Sequence, residues 1–252
     1  MIDIEKINKA FDNYTSEFDM SNEMISLKYY HTYRVAKNSI EICKSLGLSE
    51  EDTNLAYLIA MLHDVGRFPQ VRDYGTFNDD KSVDHAELGC EILFNDGLIR
   101  EFIEEDIYDD IISEAILFHN KYSICAWEED ERKILHSKII RDADKLDIIY
   151  NVCEIGGIKL NEDDNEISEE VKEDFNTEIP IPYSHKKNKN DSVLTMLCFV
   201  FDLNFKYSYE VFKKNKYVDK MFSKLKNKKL FKEYFDKANI YVKRKCKDER
   251  IR

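Results

Sequence analysis

The chain has 252 residues, a net charge of −12 and an apolar fraction of 43%. That length can bury a large core, and that apolar fraction excludes an intrinsically disordered protein. The amino terminus lacks the basic and apolar regions of a signal peptide, and no apolar run approaches the roughly 20 residues that a membrane-spanning helix requires. We therefore expect a soluble, cytoplasmic protein with no membrane partner.

The six cysteines are widely scattered, and no two of them form a Cys-x-x-Cys pair. This pattern argues against a structural zinc site and favours free thiols, mostly buried, in a reducing compartment. The residues concerned are Cys43, Cys90, Cys125, Cys153, Cys198 and Cys246.

Scarce glycine and proline indicate an all-α fold. The chain has only seven Gly and three Pro, and it almost lacks the alternation of apolar and polar residues that is typical of strands. Ser49 precedes three acidic residues and is a typical helix N-cap. In chain order, helices are predicted over residues 3–18, 23–46, 51–64, 83–95, 99–120 and 130–152, with further helices from about 192 onward.

Two polar stretches are predicted to be loops, residues 67–82 and residues 161–191. The second stretch leads us to expect one helical domain over residues 1–160. Residues 161–252 would then form a loop and a helical carboxy-terminal extension that packs on the same body. The aromatic helices of that extension could also supply a homodimer surface.

The dipeptide His63-Asp64 ends the apolar run of residues 55–62. Burying an imidazole and a carboxylate together costs roughly several kcal/mol unless both groups are paired. A divalent metal ion is an economical partner for both. We therefore expect the chemistry of this protein at the end of this helix.

Other histidines are predicted to face the core. At helical spacing, His31 aligns with the apolar residue Val35, and His119 aligns with Ile112. His85 begins a further amphipathic helix. A single core histidine is more commonly a hydrogen-bonded structural residue, but four on separate inward-facing helices can converge on a metal ion.

An acidic ligand is expected from the helix over residues 141–149. Spacing alone does not choose between Asp142 and Asp144, because each aligns with apolar neighbours. The remaining histidines keep a structural interpretation. His136 is expected on an exposed turn of helix, and His185 lies in a lysine-rich loop.

Taken in order, His31, His63-Asp64 and Asp144 resemble the signature of the HD-domain metal-dependent phosphohydrolases. The segments HDVGRFPQ (63–70), YGTF (74–77) and DHAELG (84–89) are further similar to a stand-alone bacterial subgroup whose members largely lack an assigned substrate. The resemblance covers about residues 25–150. It implies an HD-domain helical bundle, to which residues 161–252 add a helical extension.

The resemblance implies one or two divalent metal ions, with Fe, Mn, Ni, Co, Mg and Zn as candidates. Asp64 would bridge the two ions of a binuclear site. The sequence departs from the branch that cleaves cyclic dinucleotides, because Gly-Tyr-Pro does not follow Asp64 and Asn120 follows His119. The implied metal ligands are His31, His63, Asp64, His85, His119 and Asp144.

By the same resemblance, the protein is expected to be an enzyme that cleaves a phosphate ester of a small metabolite or nucleotide through a metal-activated water. It would act as a phosphomonoesterase or a phosphodiesterase. The expected catalytic residues are Asp64, Arg67 and Lys145. The expected substrate-binding residues are Arg67, Gln70, Tyr74, Thr76 and Lys145. For Arg67 and Lys145, an equal alternative is a salt bridge to the aspartates of the helix over residues 141–149 that bind no metal. The aromatic residues of the predicted loop over residues 67–82 could equally belong to the core.

Two hypotheses from other classes stay open. The first is a non-hydrolytic regulatory protein that binds a nucleotide or a metal. The second is a nucleic-acid-binding protein with a basic tail. It rests on the segment from Lys213 onward, which has sixteen Lys and Arg against five Asp and Glu. This segment is interpreted as amphipathic helices with a solvated basic face, or as a surface that attracts the substrate or an acidic partner. A nucleic-acid partner is disfavoured, because the main body is acidic and no recognised binding module is present.

Overall fold

The computed structural model describes residues 2–124, 129–249 and 251. Within these ranges all regular secondary structure is helical, so the all-α fold class with a helical carboxy-terminal region is confirmed. None of the helices in the described ranges combines the length and the apolar character needed to cross a bilayer.

The chain divides into two compact units, Met1–Asp144 and Lys145–Arg252. This division falls inside a helix, whereas the sequence places the domain boundary after residue 160, which stays a prediction. The helices of the first unit are α1 (Ile4–Thr15), α2 (Glu23–Leu46), α3 (Glu50–Leu62), α4 (Arg67–Tyr74), α5 (His85–Cys90), α6 (Ile99–Phe102) and α7 (Asp109–Phe118). Helix α8 (Glu131–Tyr150) crosses the division. The second unit contains α9 (Glu169–Asn176), α10 (Lys189–Leu197), α11 (Lys206–Lys214), α12 (Tyr217–Lys224) and α13 (Lys228–Lys245).

Helices α2 and α3 form the centre of the first unit. Helix α2 ends at Gly47, whose φ of 66° lies in the left-handed region that favours glycine. Helix α3 begins after Ser49, whose hydroxyl accepts a hydrogen bond from the Asp52 amide at 3.0 Å. The cap predicted at Ser49 is thus confirmed. Every residue of the apolar run 55–62 is buried, which carries His63 into the core.

Gly66 brings the turn that follows α3 against the start of α5. A Cβ atom at position 66 would lie 2.2 Å from the carbonyl oxygen of His85 and 2.8 Å from the amide nitrogen of Gly89. Both neighbours are main-chain atoms, which cannot rotate away as the end of a side chain can. Only glycine therefore permits this approach, and the approach places His63 and Asp64 beside His85.

The predicted loop over residues 67–82 is wrong in its first half, because residues 67–74 form α4. Pro69 is compatible with this helix because it lies in the first turn, where a missing N–H removes no intrahelical hydrogen bond. Three further segments between residues 79 and 155 are also helical but short or irregular. They are the 3₁₀ turn Asp79–Lys81, the π-helical turn Glu91–Asn95 after α5, and the π-helical turn Asn151–Ile155 after α8.

The single helix predicted over residues 99–120 is wrong, because α6 and α7 are separate. Ile103 adopts an extended conformation and ends α6. Across the break, the Arg100 guanidinium donates to the carbonyl oxygens of Glu104 and Glu105 and pairs with the Asp109 carboxylate. These bonds satisfy carbonyl groups that a continuous helix would have satisfied itself.

The predicted loop over residues 161–191 is also interrupted by a helix, α9. Val171 and Phe175, one turn apart on α9, are fully buried. The Phe175 ring contacts those of Phe201 and Tyr234, with centroids 5.1 Å apart in each pair. Burial of this apolar stripe stabilises a short helix that the surrounding acidic residues conceal in the sequence. Two 3₁₀ turns, Tyr183–His185 and Cys198–Phe201, complete the second unit.

The carboxy-terminal helices are amphipathic, as predicted. Five apolar residues of α13 at helical spacing are buried: Phe231, Tyr234, Phe235, Ala238 and Tyr241. The cysteines that the structure describes are free thiols, of which Cys43, Cys153 and Cys198 are buried while Cys90 and Cys246 are half-buried. Cys125 lies outside the described residues.

Candidate metal centre

Four imidazoles and two carboxylates of the first unit come together in the core. His31 lies in α2, His63 and Asp64 follow α3, and His85 opens α5. His119 follows the last residue of α7, and Asp144 lies in α8. All four histidines are buried, and so is Asp64, whereas Asp144 is partly exposed. The six side chains that the sequence predicts as metal ligands are therefore neighbours in space.

Asp64 lies between two pairs of histidines. Its Oδ2 atom is 3.3 Å from His63 Nε2 and 3.4 Å from His31 Nε2. Its Oδ1 atom is 3.5 Å from His85 Nε2 and 3.9 Å from His119 Nε2. The ligand atoms thus form two groups, His31 with His63 and His85 with His119, that share the carboxylate of Asp64.

Asp144 joins the first of these groups. Its Oδ1 atom lies 3.1 Å from His31 Nε2 and 3.9 Å from His63 Nε2. The sequence left open whether Asp142 or Asp144 faces the histidines, and the structure brings Asp144 to them. The first group therefore offers two imidazole nitrogens and two carboxylate oxygens.

Hydrogen bonds at Nδ1 fix the orientation of three of the rings. His63 Nδ1 lies 2.7 Å from the Ala60 carbonyl oxygen, and His119 Nδ1 lies 2.6 Å from that of Ile116. A carbonyl oxygen only accepts, so the proton of each neutral ring is assigned to Nδ1. His85 Nδ1 likewise donates to the Asp79 carboxylate at 2.7 Å. Each Nε2 then carries a lone pair, which is the arrangement found in metal-binding histidines.

The Nε2 atoms fit a cation better than they fit one another. His63 Nε2 is buried without a hydrogen-bond partner. His85 Nε2 and His119 Nε2 lie 3.1 Å apart, but with both protons on Nδ1 the two lone pairs face each other and form no hydrogen bond. A metal ion bonded at about 2.1 Å to each ligand would hold neighbouring ligand atoms roughly 3.0–3.4 Å apart. The separations here resemble that spacing, so the residues fit a metal ion.

Burial and neighbouring charges set the protonation of these groups. Burial lowers the pKa of His119 well below its ordinary value and also lowers the pKa of His85, so both rings are neutral. Burial alone would raise the pKa of Asp64, but the Lys28 ammonium holds it well below its usual range. Burial opposes ionisation of Asp144 too, yet His31 keeps the pKa of that carboxyl low. Neutral imidazoles and ionised carboxylates are the forms that bind metal ions.

Sequence reasoning missed Lys28. Its Nζ atom lies 2.6 Å from Asp64 Oδ2. Lys28 precedes His31 by three residues on α2, so the two side chains share a helix face. This spacing in the sequence could have indicated that Lys28 lies near the histidine cluster.

Asp79 is the second residue that sequence reasoning missed. Its Oδ2 accepts from His85, while its Oδ1 accepts from Arg67 Nη1 at 2.7 Å and from Gln70 Nε2 at 2.8 Å. Burial raises the pKa of this carboxyl, but His85 and Arg67 together lower it to about 2. Nothing in the spacing of the loop indicates these contacts, because they depend on how the loop folds back over α4.

Arg67 and Gln70 are held by the chain itself. Arg67 Nη1 also donates to the Gln70 side-chain oxygen at 2.7 Å and to the Phe77 carbonyl at 2.8 Å, while Arg67 Nε lies 3.6 Å from Asp64 Oδ1. Gln70 is fully buried, and its amide group donates to Ser82 Oγ and to the Val83 carbonyl oxygen at 2.9 Å each. The salt bridge expected as an alternative for Arg67 is formed, but with Asp79. Binding of substrate by Arg67 and Gln70 stays a prediction.

The other predicted substrate residues are placed differently. Tyr74, the last residue of α4, is exposed, and Thr76 Oγ1 accepts from the Asn78 amide at 3.1 Å. Lys145 belongs to the second unit, where its Nζ lies 2.8 Å from Asp202. Their contacts to substrate likewise stay predictions.

The two remaining histidines are not part of the cluster of ligand atoms. His136 is buried, which corrects the expectation of an exposed position, because Asp52 of α3 pairs with its Nε2 at 3.2 Å. His185 pairs through Nδ1 with Asp174 at 2.6 Å in the second unit. Both pairs are consistent with the structural interpretation.

Comparison with known proteins gives one family match. Residues 29–149 match the family model of the HD domain. This range contains all six of the clustered side chains. No curated protein and no solved structure matches the chain. The narrower bacterial subgroup stays a prediction, whereas the resemblance to HD-domain proteins is confirmed. This chain carries an HD domain between residues 29 and 149.

Proposed function

We propose that this protein is a metal-dependent phosphohydrolase that cleaves a phosphate ester of a small metabolite or nucleotide. Proteins with an HD domain are generally hydrolases. One observation carries the proposal for this chain. The two oxygens of the buried Asp64 face two separate pairs of imidazole nitrogens, an arrangement suited to two metal ions that share one carboxylate.

The two groups of ligands would differ in charge. His31, His63, Asp64 and Asp144 would hold one ion, and His85 and His119 would hold a second with the other oxygen of Asp64. A divalent ion at such a site polarises a phosphoryl oxygen and lowers the pKa of a bound water toward neutrality. The mixture of imidazole and carboxylate ligands suits Mn, Fe, Co, Ni or Zn better than Mg, which prefers oxygen ligands.

Side chains of this protein would determine the charge of the site and its access to water. The neutral rings of His85 and His119 and the charged carboxylates leave the site with a net negative charge that two divalent ions more than offset. The cations Lys28 and Arg67 flank Asp64 and add positive potential for a phosphate group. Burial of the ligands keeps bulk water away and strengthens these interactions. We propose a mono- or diesterase activity, with roles for Arg67, Gln70, Tyr74, Thr76 and Lys145 as predicted above.

The test is a panel of phosphate esters assayed with defined metals. The full chain is stripped with a chelator, reloaded with Mn, Fe, Co, Ni, Zn or Mg, and assayed for phosphate release from mono- and diesters that include nucleotides. We expect turnover with at least one metal and none after chelation. Asp64→Asn should abolish both turnover and metal binding, because it removes the shared carboxylate. Asp73→Asn, an exposed aspartate on α4, is the matched control and should retain both.

One result would contradict the enzyme proposal. If the fully metallated protein hydrolyses no member of the panel but binds a nucleotide tightly, it is the non-hydrolytic regulatory protein instead. Direct metal analysis of each preparation excludes incomplete loading as the cause.

A further inference from the structure

Lys28 is a cation placed at the oxygen where a metal ion would bind. Its Nζ atom lies 2.6 Å from Asp64 Oδ2, the oxygen that faces His31 and His63. An ammonium group and a divalent cation at the same buried oxygen repel each other strongly, since the surroundings screen their charges poorly. Binding of the ion is therefore opposed by Lys28 as long as its ammonium group stays on Asp64.

Lys28 is less enclosed than its partner Asp64. Its side chain is 14% exposed, whereas that of Asp64 is 3% exposed, so part of the lysine side chain reaches solvent while the carboxylate is enclosed. A lysine side chain has four flexible carbons and a compact charge that can change partners. By contrast, Arg67 Nη1 is held by oxygen atoms of Gln70, Phe77 and Asp79.

One aromatic ring lies close to both Lys28 and Arg67: the Phe77 ring centroid is 5.4 Å from Lys28 Nζ and 5.6 Å from Arg67 Cζ. Two cations that contact Asp64 therefore also lie beside one aromatic ring. Positive charge at this place attracts a phosphate group, and a lysine binds phosphate as a point charge without a fixed geometry.

We propose, on the basis of the function above, that Lys28 competes with the metal ion for Asp64 and binds the phosphate of the substrate once the ion has displaced it. Lys28 would thus exchange one negative partner for another. In this role it weakens metal binding and strengthens phosphate binding.

The first test is a titration of the chelator-treated full chain with Mn²⁺, measured by calorimetry. We expect Lys28→Met to bind Mn²⁺ about tenfold more tightly than the wild type, because the competing charge is gone. Lys28→Arg keeps a cation and should stay close to the wild type. Lys37→Met removes one charge from an exposed position on the same helix and should change nothing.

The second test measures binding of inorganic phosphate to the Mn²⁺-loaded proteins. We expect Lys28→Met to bind phosphate about tenfold more weakly than the wild type, with Lys37→Met again unchanged. If Lys28→Met fails to fold, as judged by circular dichroism, Lys28→Gln replaces it, since glutamine can still donate a hydrogen bond to Asp64.

The outcomes separate this inference from the proposed function. A wild-type protein that binds no divalent metal would contradict the function itself. A wild type that binds Mn²⁺, together with a Lys28 variant of equal or weaker Mn²⁺ affinity or of unchanged phosphate affinity, would overturn the role of Lys28 alone.

Discussion

Single residues around Asp64 differ in how directly they touch the ligand cluster. Asp79 offers no atom to the space between the Nε2 nitrogens, yet it fixes the ring of His85 through Nδ1. It thereby determines which nitrogen of His85 carries the proton and where the other one points. In this respect the Asp79 carboxylate does for His85 what main-chain carbonyls do for His63 and His119.

This arrangement predicts the effect of removing Asp79. In Asp79→Ala the His85 ring loses its orienting partner, and we expect affinity for the second ion to fall about 10- to 100-fold while the first ion is retained. Calorimetric titration with Mn²⁺ should resolve the two binding steps. Asp80→Ala, the exposed neighbour, is the control and should leave both steps intact. Loss of both ions in Asp79→Ala would show that the loop supports the whole site instead.

At the scale of elements, the site depends on the contact between α5 and the turn after α3. Gly66 and Gly89 lie on the two sides of this contact but differ in the space around them. A Cβ atom on Gly66 would meet the main chain of His85 at 2.2 Å, whereas one on Gly89 would meet its nearest atoms at 3.5 Å. Alanine substitutions at the two positions can therefore be compared directly, each as the control for the other.

We predict that alanine destabilises the protein at Gly66 but has little effect at Gly89. Gly66→Ala must push α5 away from the turn, which should cost about 1–3 kcal/mol of unfolding free energy and separate Asp64 from His85. Gly89→Ala adds a methyl group at ordinary contact distance within a helix, and stability should change by less than about 1 kcal/mol. Urea denaturation and Mn²⁺ stoichiometry measure both effects. Equal losses in the two variants would argue against the close approach at Gly66.

The helices also show which structural features could be predicted from the sequence and which could not. The cap at Ser49 and the buried run after it follow from local patterns, so the start of α3 and the position of His63 were predictable. The break between α6 and α7 was not, because it depends on Arg100 reaching carbonyl groups beyond its own helix. His136 was misplaced for a similar reason, since its burial depends on Asp52 from another helix.

At the scale of the whole molecule, the ligand cluster joins distant parts of the chain. Its side chains come from α2, α5, α8 and the ends of α3 and α7, and they span residues 31 to 144. The order of the motif along the chain made this set predictable, and the spacing of Lys28 from His31 offered a signal for Lys28. The contacts of Asp79, in contrast, follow no pattern in the sequence. The sequence boundary at residue 160 and the homodimer surface stay predictions.

A cluster that joins so many helices predicts a large effect of metal on stability. An ion that binds only the folded chain stabilises it by about 2.7 kcal/mol at a concentration 100 times its dissociation constant. For a chain of this size we expect the melting temperature to rise by roughly 5–10 °C on loading. Differential scanning fluorimetry with and without a chelator checks this expectation. Asp64→Asn should melt at the same temperature under both conditions, and a metal-dependent shift in that variant would place the ion elsewhere.

The contact at Gly66 has a consequence for the evolution of this domain. It joins main chain to main chain, so no side chain at the contact can be exchanged to lengthen or shorten it. Apolar residues elsewhere in the core can be replaced by others of similar volume while the packing readjusts. Such replacements therefore do not change the distance between the two groups of ligands. The amino acids of the surrounding core can diverge while this distance is kept.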